Sequence, residues 1–190
     1  RMLDSTNTDR AQAILDAFDA ALEQGDADAA AGMFAEDGYW RDLVAFTWNL
    51  KTCEGRAQIA DMLRSQLAAV APSNWHLAEG ETPTEEGGVL TAWIGFETDV
   101  ARGYGLMRLR DGRIWTLLTT MAELKGHEEP RGFARPLGAL HGAGKNRETW
   151  KEARERETAE LGASVQPYCL IVGGGQGGIA LGARLRQLGV

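Results

Sequence analysis

The sequence predicts an α+β fold, with helices first and antiparallel strands after them. A charged connector then leads to the opening strand–turn–helix of an α/β dinucleotide-binding domain. Three observations predict this. Apolar residues recur at helical spacing through much of the first 70 residues. Alternating apolar runs and an Asp-Gly hairpin follow, up to about Leu124. A G-x-G-x-x-G run stands at Gly173–Gly178, behind an apolar stretch. The expected boundaries are 1–124, 125–162 and 163–190.

The first helix is read from "TDRAQAILDAFDAALEQGD". Ala11, Ile14, Leu15, Phe18 and Leu22 share a face, Thr8 is the expected N-cap and Gly25 the stop. "DADAAAGMF" reads as a short second helix. "GYWRDLVAFTW" is aromatic and β-branched, and reads as a strand. "GRAQIADMLRSQLAAVAP" returns to helical period, with Ile59, Met62, Leu63, Leu67 and Val70 on one face and Pro72 as terminator. "NWHLAEGE" is a short strand. In "GGVLTAWIGFETDV", Leu90, Ala92, Ile94 and Phe96 alternate onto one side. "GYGLMRLRDGRIWTLLTTMAEL" is a hairpin turning at Asp111-Gly112.

From Lys125 the chain reads as an extended connector rich in glycine and proline, then as a charged helix over 147–161 with Trp150 as its apolar anchor. The terminal motif opens at Pro167, and Tyr168–Val172 has the near-continuous apolar character of a buried parallel strand. Gly173 permits a tight turn, Gly175 lets backbone approach a pyrophosphate, and Gly178 lets the helix pack on the strand. The helix "GIALGARLRQLGV" would turn its N–H groups toward the phosphates. One strand and one helix do not complete a Rossmann half, so the 190 residues are expected to be the front of a longer protein.

Bulk composition removes several classes. A net charge of −7 and a pI near 5.0 offer nothing to phosphate counterion release, so nucleic acid is not an expected partner. No apolar run approaches the roughly 18 residues of a membrane span, and no basic amphipathic helix suits a membrane surface. Cys53 and Cys169 lack metal spacing and read as small buried apolar residues in a reducing cytoplasm. There is no G-x-S-x-G elbow and no local Cys–His arrangement, so covalent catalysis has no support.

Two resemblances follow from the residues quoted. The first helix, "MFAEDGYWRDL", "TCEGRAQI" and "MRLRDGRIWTL" resemble the SnoaL-like, nuclear-transport-factor-2-like superfamily of cone-shaped domains, over about Thr8–Leu124. "DGYWRDLVAFTWNLKTCEGR", "NRETWKEARERE" and "LIVGGGQGGIALGARLRQLGV" together resemble flavin-dependent monooxygenases that carry such a domain ahead of an FAD/NAD(P)-binding region. That resemblance implies a cytoplasmic oxidoreductase in which NADP(H) reduces FAD and a small organic substrate is oxygenated. It places Gly173, Gly174, Gly175, Gln176, Gly177 and Gly178 at the FAD pyrophosphate. Both cofactors are expected in the full-length protein and not on these 190 residues alone. The fold also implies a homodimer formed through an open sheet face.

The front domain offers a candidate pocket of polar groups among aromatics: Trp40, Asp42, Trp48, Trp93, Tyr104 and Trp115, with Tyr39 and Arg41 beside them. Asp42 in an apolar pocket would act as a base of the isomerase kind, against the plainer expectation of a solvated or salt-bridged strand residue. The tryptophans otherwise serve as core and interface anchors. His76, His127 and His141 read as surface or packing residues, Glu85-Glu86 and Glu128-Glu129 as solvated loops, and the charged helix as a solvated spacer docking through Trp150. The functional alternatives are a flavoprotein monooxygenase, a ligand-binding or dimerising module, and an isomerase or dehydratase based on Asp42.

Overall fold

The computed structural model describes residues 2–135 and 148–188, with side chains from Thr6 onward. The chain divides into two compact units, Arg1–Glu128 and Glu129–Val190. His141 lies outside the described residues.

In the first unit, α1 spans Met2–Glu23 and buries Ala11, Leu15, Phe18 and Leu22. It begins well before Thr8, so Thr8 is a helical residue and not its cap. No glycine or proline precedes Thr8 to stop the helix earlier. Gly25 follows at φ +70°, and Asp26 caps α2 (Ala27–Gly32) by accepting from Ala29 N at 2.8 Å. β1 is Phe34–Leu43 and β2 is Leu50–Glu54. The expected strand through Trp48 is therefore cut short. Residues 44–49 form a loop with Val44 and Trp48 both at positive φ, which takes them out of any ladder.

The helix α3 (Gly55–Val70) buries the predicted face: Ile59, Met62, Leu63, Leu67 and Val70. It ends at Ala71, left-handed and ahead of Pro72, which disfavours helical backbone in the residue before it. Then come β3 (Ser73–Leu77), β4 (Thr84–Glu86), β5 (Val89–Glu97), β6 (Ala101–Arg110) and β7 (Arg113–Leu124). Leu90, Ala92, Ile94 and Phe96 all face inward from β5. Asp111 and Gly112, at φ +52° and +72°, make the two-residue turn between β6 and β7.

The sheet order is β2-β1-β7-β6-β5-β3, with β4 also on β5. One expectation fails here. β1 pairs with β7 in parallel, so the sheet is mixed, not purely antiparallel. Alternation along a strand has the same period in either pairing, so the sequence pattern could not tell them apart. β2 and β4 were not anticipated. The Glu85-Glu86 pair lies on β4, and Glu85 bonds Arg10 at 2.7 Å.

Helices cover one side of the sheet, and a cluster of rings fills the space between. Phe18, Phe34, Trp40, Phe46, Trp75 and Phe96 are all at least 97% buried. Trp75 stacks on Phe96 at 4.7 Å, and Phe18 meets Trp75 edge-on at 5.1 Å. Gly103 is required beneath this cluster, because a Cβ there would lie 2.2 Å from the Phe96 ring.

In the second unit, α4 (Trp150–Glu160) opens with a capping box: Thr149 accepts from Glu152 N, and Glu152 returns to Thr149 N. Trp150 is 77% exposed, with Arg154 over its ring at 5.4 Å, so it is not a buried anchor. Tyr168–Val172 forms no strand and no ladder, contrary to the strand expectation. Among the described residues no neighbouring strand supplies its hydrogen bonds, which a strand requires. α5 spans Gln176–Gln187. A dinucleotide-binding domain is thus not assembled by the described residues.

Candidate functional site

From Gly38 onward β1 sends its even-numbered residues inward and its odd-numbered residues outward. Trp40 and Asp42 are consequently both buried, and they share a node. Asp42 Oδ1 accepts from Thr119 Oγ1 at 2.8 Å. Its Oδ2 accepts from Thr47 N and Thr47 Oγ1, both at 2.8 Å, and Phe46 N reaches both oxygens at 3.0–3.1 Å. The Trp40 indole N–H donates to Thr119 Oγ1 at 2.9 Å. This carboxylate has no free lone pair directed at a pocket. It is neither solvated nor salt-bridged, and its geometry is that of a loop anchor.

The other four pocket candidates lie elsewhere. Trp48 is at the tip of the 44–49 loop and 61% exposed. Trp93 and Tyr104 stand on the outer face of the sheet, nearly half exposed. Trp115 is half-buried, with the Arg110 guanidinium 4.6 Å and the Arg108 guanidinium 5.8 Å from its ring. Arg110 also grips Asp37 at 2.6–2.7 Å, and that hydrogen bond holds the Asp37 carboxyl below its ordinary range. The six residues therefore form no common pocket. None of them lines the open groove of about 510 Å³ between the ends of α1 and α3, where Leu22, Leu63, Leu67 and Pro72 lie.

Sequence reasoning missed a second polar feature inside the domain. Asp19 on α1 accepts from Trp75 N at 3.2 Å, while Asp19 Oδ1 and Trp75 Nε1 are buried without partners. Burial raises the Asp19 carboxyl above its ordinary value. The Trp75 N–H opposes this, and Glu23 and Asp16 add to it. An aspartate among the apolar positions of α1 was the available signal.

The outer sheet face displays apolar residues among polar ones, with Trp93 and Tyr104 nearly half exposed. Strand register aligns Arg41, Leu118, Leu106 and Trp93 in one row. Leu43, Thr120 and Tyr104 align in the next, and Tyr39, Thr116 and Arg108 in a third.

At the glycine turn, Gly173 has φ +110° and Gly175 caps α5. A Cβ on Gly178 would fall 2.0 Å from Gly173 O and 3.3 Å from Ile171 Cγ2, so only glycine lets α5 sit this close to the incoming segment. Around Gly174, Gly175 and Gly177 a Cβ would meet nothing within 4 Å. The backbone here is bare and accessible, as a pyrophosphate requires, and these residues fit that group. Gln176 opens the helix.

The remaining residues resolve simply. Cys53 is buried against Met62, its thiol pushed up by desolvation, whereas Cys169 is exposed, unlike the buried residue expected. Glu128 pairs with Arg102 at 2.9 Å, which brings its carboxyl down to about 2, and Glu129 pairs with Arg184. Neither is merely solvated. The His76 ring lies over Gly95, and His127 is exposed. Among the described residues no cluster of three His, Cys, Asp or Glu could hold a metal, and no helix is long and apolar enough to cross a membrane.

A family profile described as the SnoaL-like domain matches residues 15–117, more than half of the 190. The chain belongs to the SnoaL-like family. No curated protein matches it. Among solved structures it is similar to a ketosteroid isomerase-like protein from Erwinia carotovora atroseptica, at 12% identity and TM-score 0.47, over 58% of this chain and 92% of that one. It is also similar to an NTF2-like protein of unknown function from Cytophaga hutchinsonii, at 16% and 0.40, over 57% and 87%. A third is a protein from Sphaerobacter thermophilus, at 18% and 0.41, over 58% and 94%.

Proposed function

We propose that the SnoaL-like unit is a dimerising module that pairs through its outer sheet face. The observation that supports this is the register of that face. A half-turn about an axis parallel to the strands, lying between β6 and β7, sets Leu118 over the partner's Leu106. The same half-turn sets Arg41 over the partner's Trp93. The apolar centre matches itself, and a guanidinium meets an indole at each flank. Sedimentation velocity tests it. The chain should sediment as a dimer, and Leu106→Glu and Leu118→Glu should sediment as folded monomers. A monomeric wild-type chain overturns the reading. An isomerase reading based on Asp42 is not favoured, because its carboxylate is already saturated by donors.

A second reading attaches to the glycine turn, where residues 173–178 hold the pyrophosphate of FAD. The close seat of Gly178 over Gly173 supports it. Bound flavin would supply two-electron redox chemistry, with NADP(H) as reductant and a small organic molecule as the oxygenated substrate. The visible spectrum of the product of the complete gene tests it. An oxidised flavin spectrum that NADPH bleaches and air restores is expected. A protein that stays colourless after incubation with FAD excludes it.

A further inference from the structure

Carboxylates hold the basic groups at either end of β6 and β7. Asp37 grips Arg110 at 2.6 Å, Glu128 grips Arg102 at 2.9 Å, and Glu97 grips Lys125 at 2.8 Å. Arg108, between them, is different. It is exposed on the outer face of β6, and among the described residues it has no hydrogen bond and no ion pair. In the rows that cross this face from β1 to β5, the charged side chains are Arg41 and Arg108, and there is no carboxylate. Arg41 donates to Thr52 Oγ1 at 3.1 Å. A chain with a net charge of −7 thus keeps an uncompensated positive strip on the face that pairs.

The half-turn that pairs two copies turns this surplus into a site. It keeps each row over itself, so Arg108 comes to lie over the partner's Thr116, and the two Arg108 residues become diagonal neighbours across the axis. By ordinary strand and sheet spacings their α-carbons are about 11 Å apart, a gap that two arginine side chains together span. The guanidinium of Arg108 stands 5.8 Å from the ring of Trp115, a residue of β7, and so leans toward the axis. Two like charges with no carboxylate near them repel where the face closes.

We propose that the two Arg108 guanidinia clasp one tetrahedral dianion of the phosphate type on the two-fold axis, and that this ion regulates pairing. The inference rests on the pairing reading above. Charge and shape select the ion. One dianion balances two guanidinia, and each planar fork takes two of its four oxygens. A carboxylate has one charge and two oxygens, and satisfies one fork. The hydroxyls of Thr116 from both copies flank the same place as further donors. Either copy alone offers a single fork, so the site exists only in the pair, and ion binding and pairing strengthen each other.

Sedimentation equilibrium of the whole chain tests it, in sodium chloride and in sodium phosphate of equal ionic strength at about pH 8, where phosphate is mostly the dianion. Phosphate should lower the dimer dissociation constant of the wild type about tenfold, the worth of charge-assisted hydrogen bonds at a closed face. Arg108→Gln removes the forks and the repulsion together. It should pair in chloride at least as tightly as the wild type and show no response to phosphate. Arg108→Lys keeps the charge without the fork and should respond less than the wild type. Arg41→Gln loses the guanidinium set over the partner's Trp93; it should pair more weakly in both salts and keep the response. A wild-type dimer indifferent to phosphate overturns the clasp and leaves the pairing reading standing, whereas a chain monomeric in both salts overturns both. A response that persists in Arg108→Gln is general salting-out, and it also overturns the clasp.

Discussion

Trp40 and Asp42, two residues apart on β1, are joined through a hydroxyl from the far end of the domain. The Trp40 N–H donates to Thr119 Oγ1, and Thr119 donates to Asp42, across sequence separations of 79 and 77 residues. Thr119→Val keeps the shape and removes both bonds. It leaves a buried indole N–H without an acceptor and takes one donor from a buried carboxylate. A loss of about 2 kcal/mol is expected, with Thr119→Ser closer to wild type. Urea unfolding measures it. A Thr119→Val protein as stable as the wild type would mean that the node contributes nothing.

Asp19 gives a pH prediction of definite sign. Burial raises its carboxyl in the folded state, so the folded chain holds that proton more tightly than the unfolded chain. The group favours folding below its unfolded value near 3.8, and that contribution is lost as pH rises through the raised folded value. Asp19→Asn still accepts from Trp75 N but carries no charge. Its melting temperature should exceed that of the wild type at pH 7, and the advantage should shrink toward pH 3. An advantage that does not change with pH would assign the effect to something other than ionisation.

Gly177 and Gly178 are adjacent and should behave oppositely. At Gly177 a Cβ meets nothing, so alanine favours α5 by about 0.5–1 kcal/mol. At Gly178 the same Cβ strikes Gly173 O, and the turn must open. Hydrogen exchange across residues 173–187 should slow in Gly177→Ala and quicken in Gly178→Ala, with no nucleotide present. In the product of the complete gene, the second reading expects Gly178→Ala to lose flavin. Similar exchange in both variants would show that the close approach does not constrain this turn.

The elements that sequence pattern revealed are those whose period one strand or helix sets alone. α3 shows its buried face at Ile59, Met62, Leu63, Leu67 and Val70, β5 alternates, and Asp111-Gly112 closes its hairpin. What stayed hidden depends on partners far away in sequence. The parallel contact of β1 with β7 leaves no mark on either strand, and the donors to Asp42 include a threonine whose side of β7 only the sheet determines. The outer face was hidden for another reason. Leu106, Leu118 and Trp93 are as apolar as inward residues, so strands apolar on both faces give no sign of which one water sees. Phe46 was hidden by the assumption that a β-branched, aromatic run continues as strand through Trp48.

The parallel pairing of β1 with β7 also has a consequence for synthesis. Trp40 lies beside Leu117, and every residue between them must be translated before the two strands can meet. At about 5–20 residues per second the ribosome needs about 4–15 s to cross that interval. Through it the nascent chain shows Phe34, Trp40 and Phe46 without the strand that becomes their central neighbour. Refolding of the finished chain, free of this ordering, is expected to be limited by the search for one long-range register rather than by helix formation.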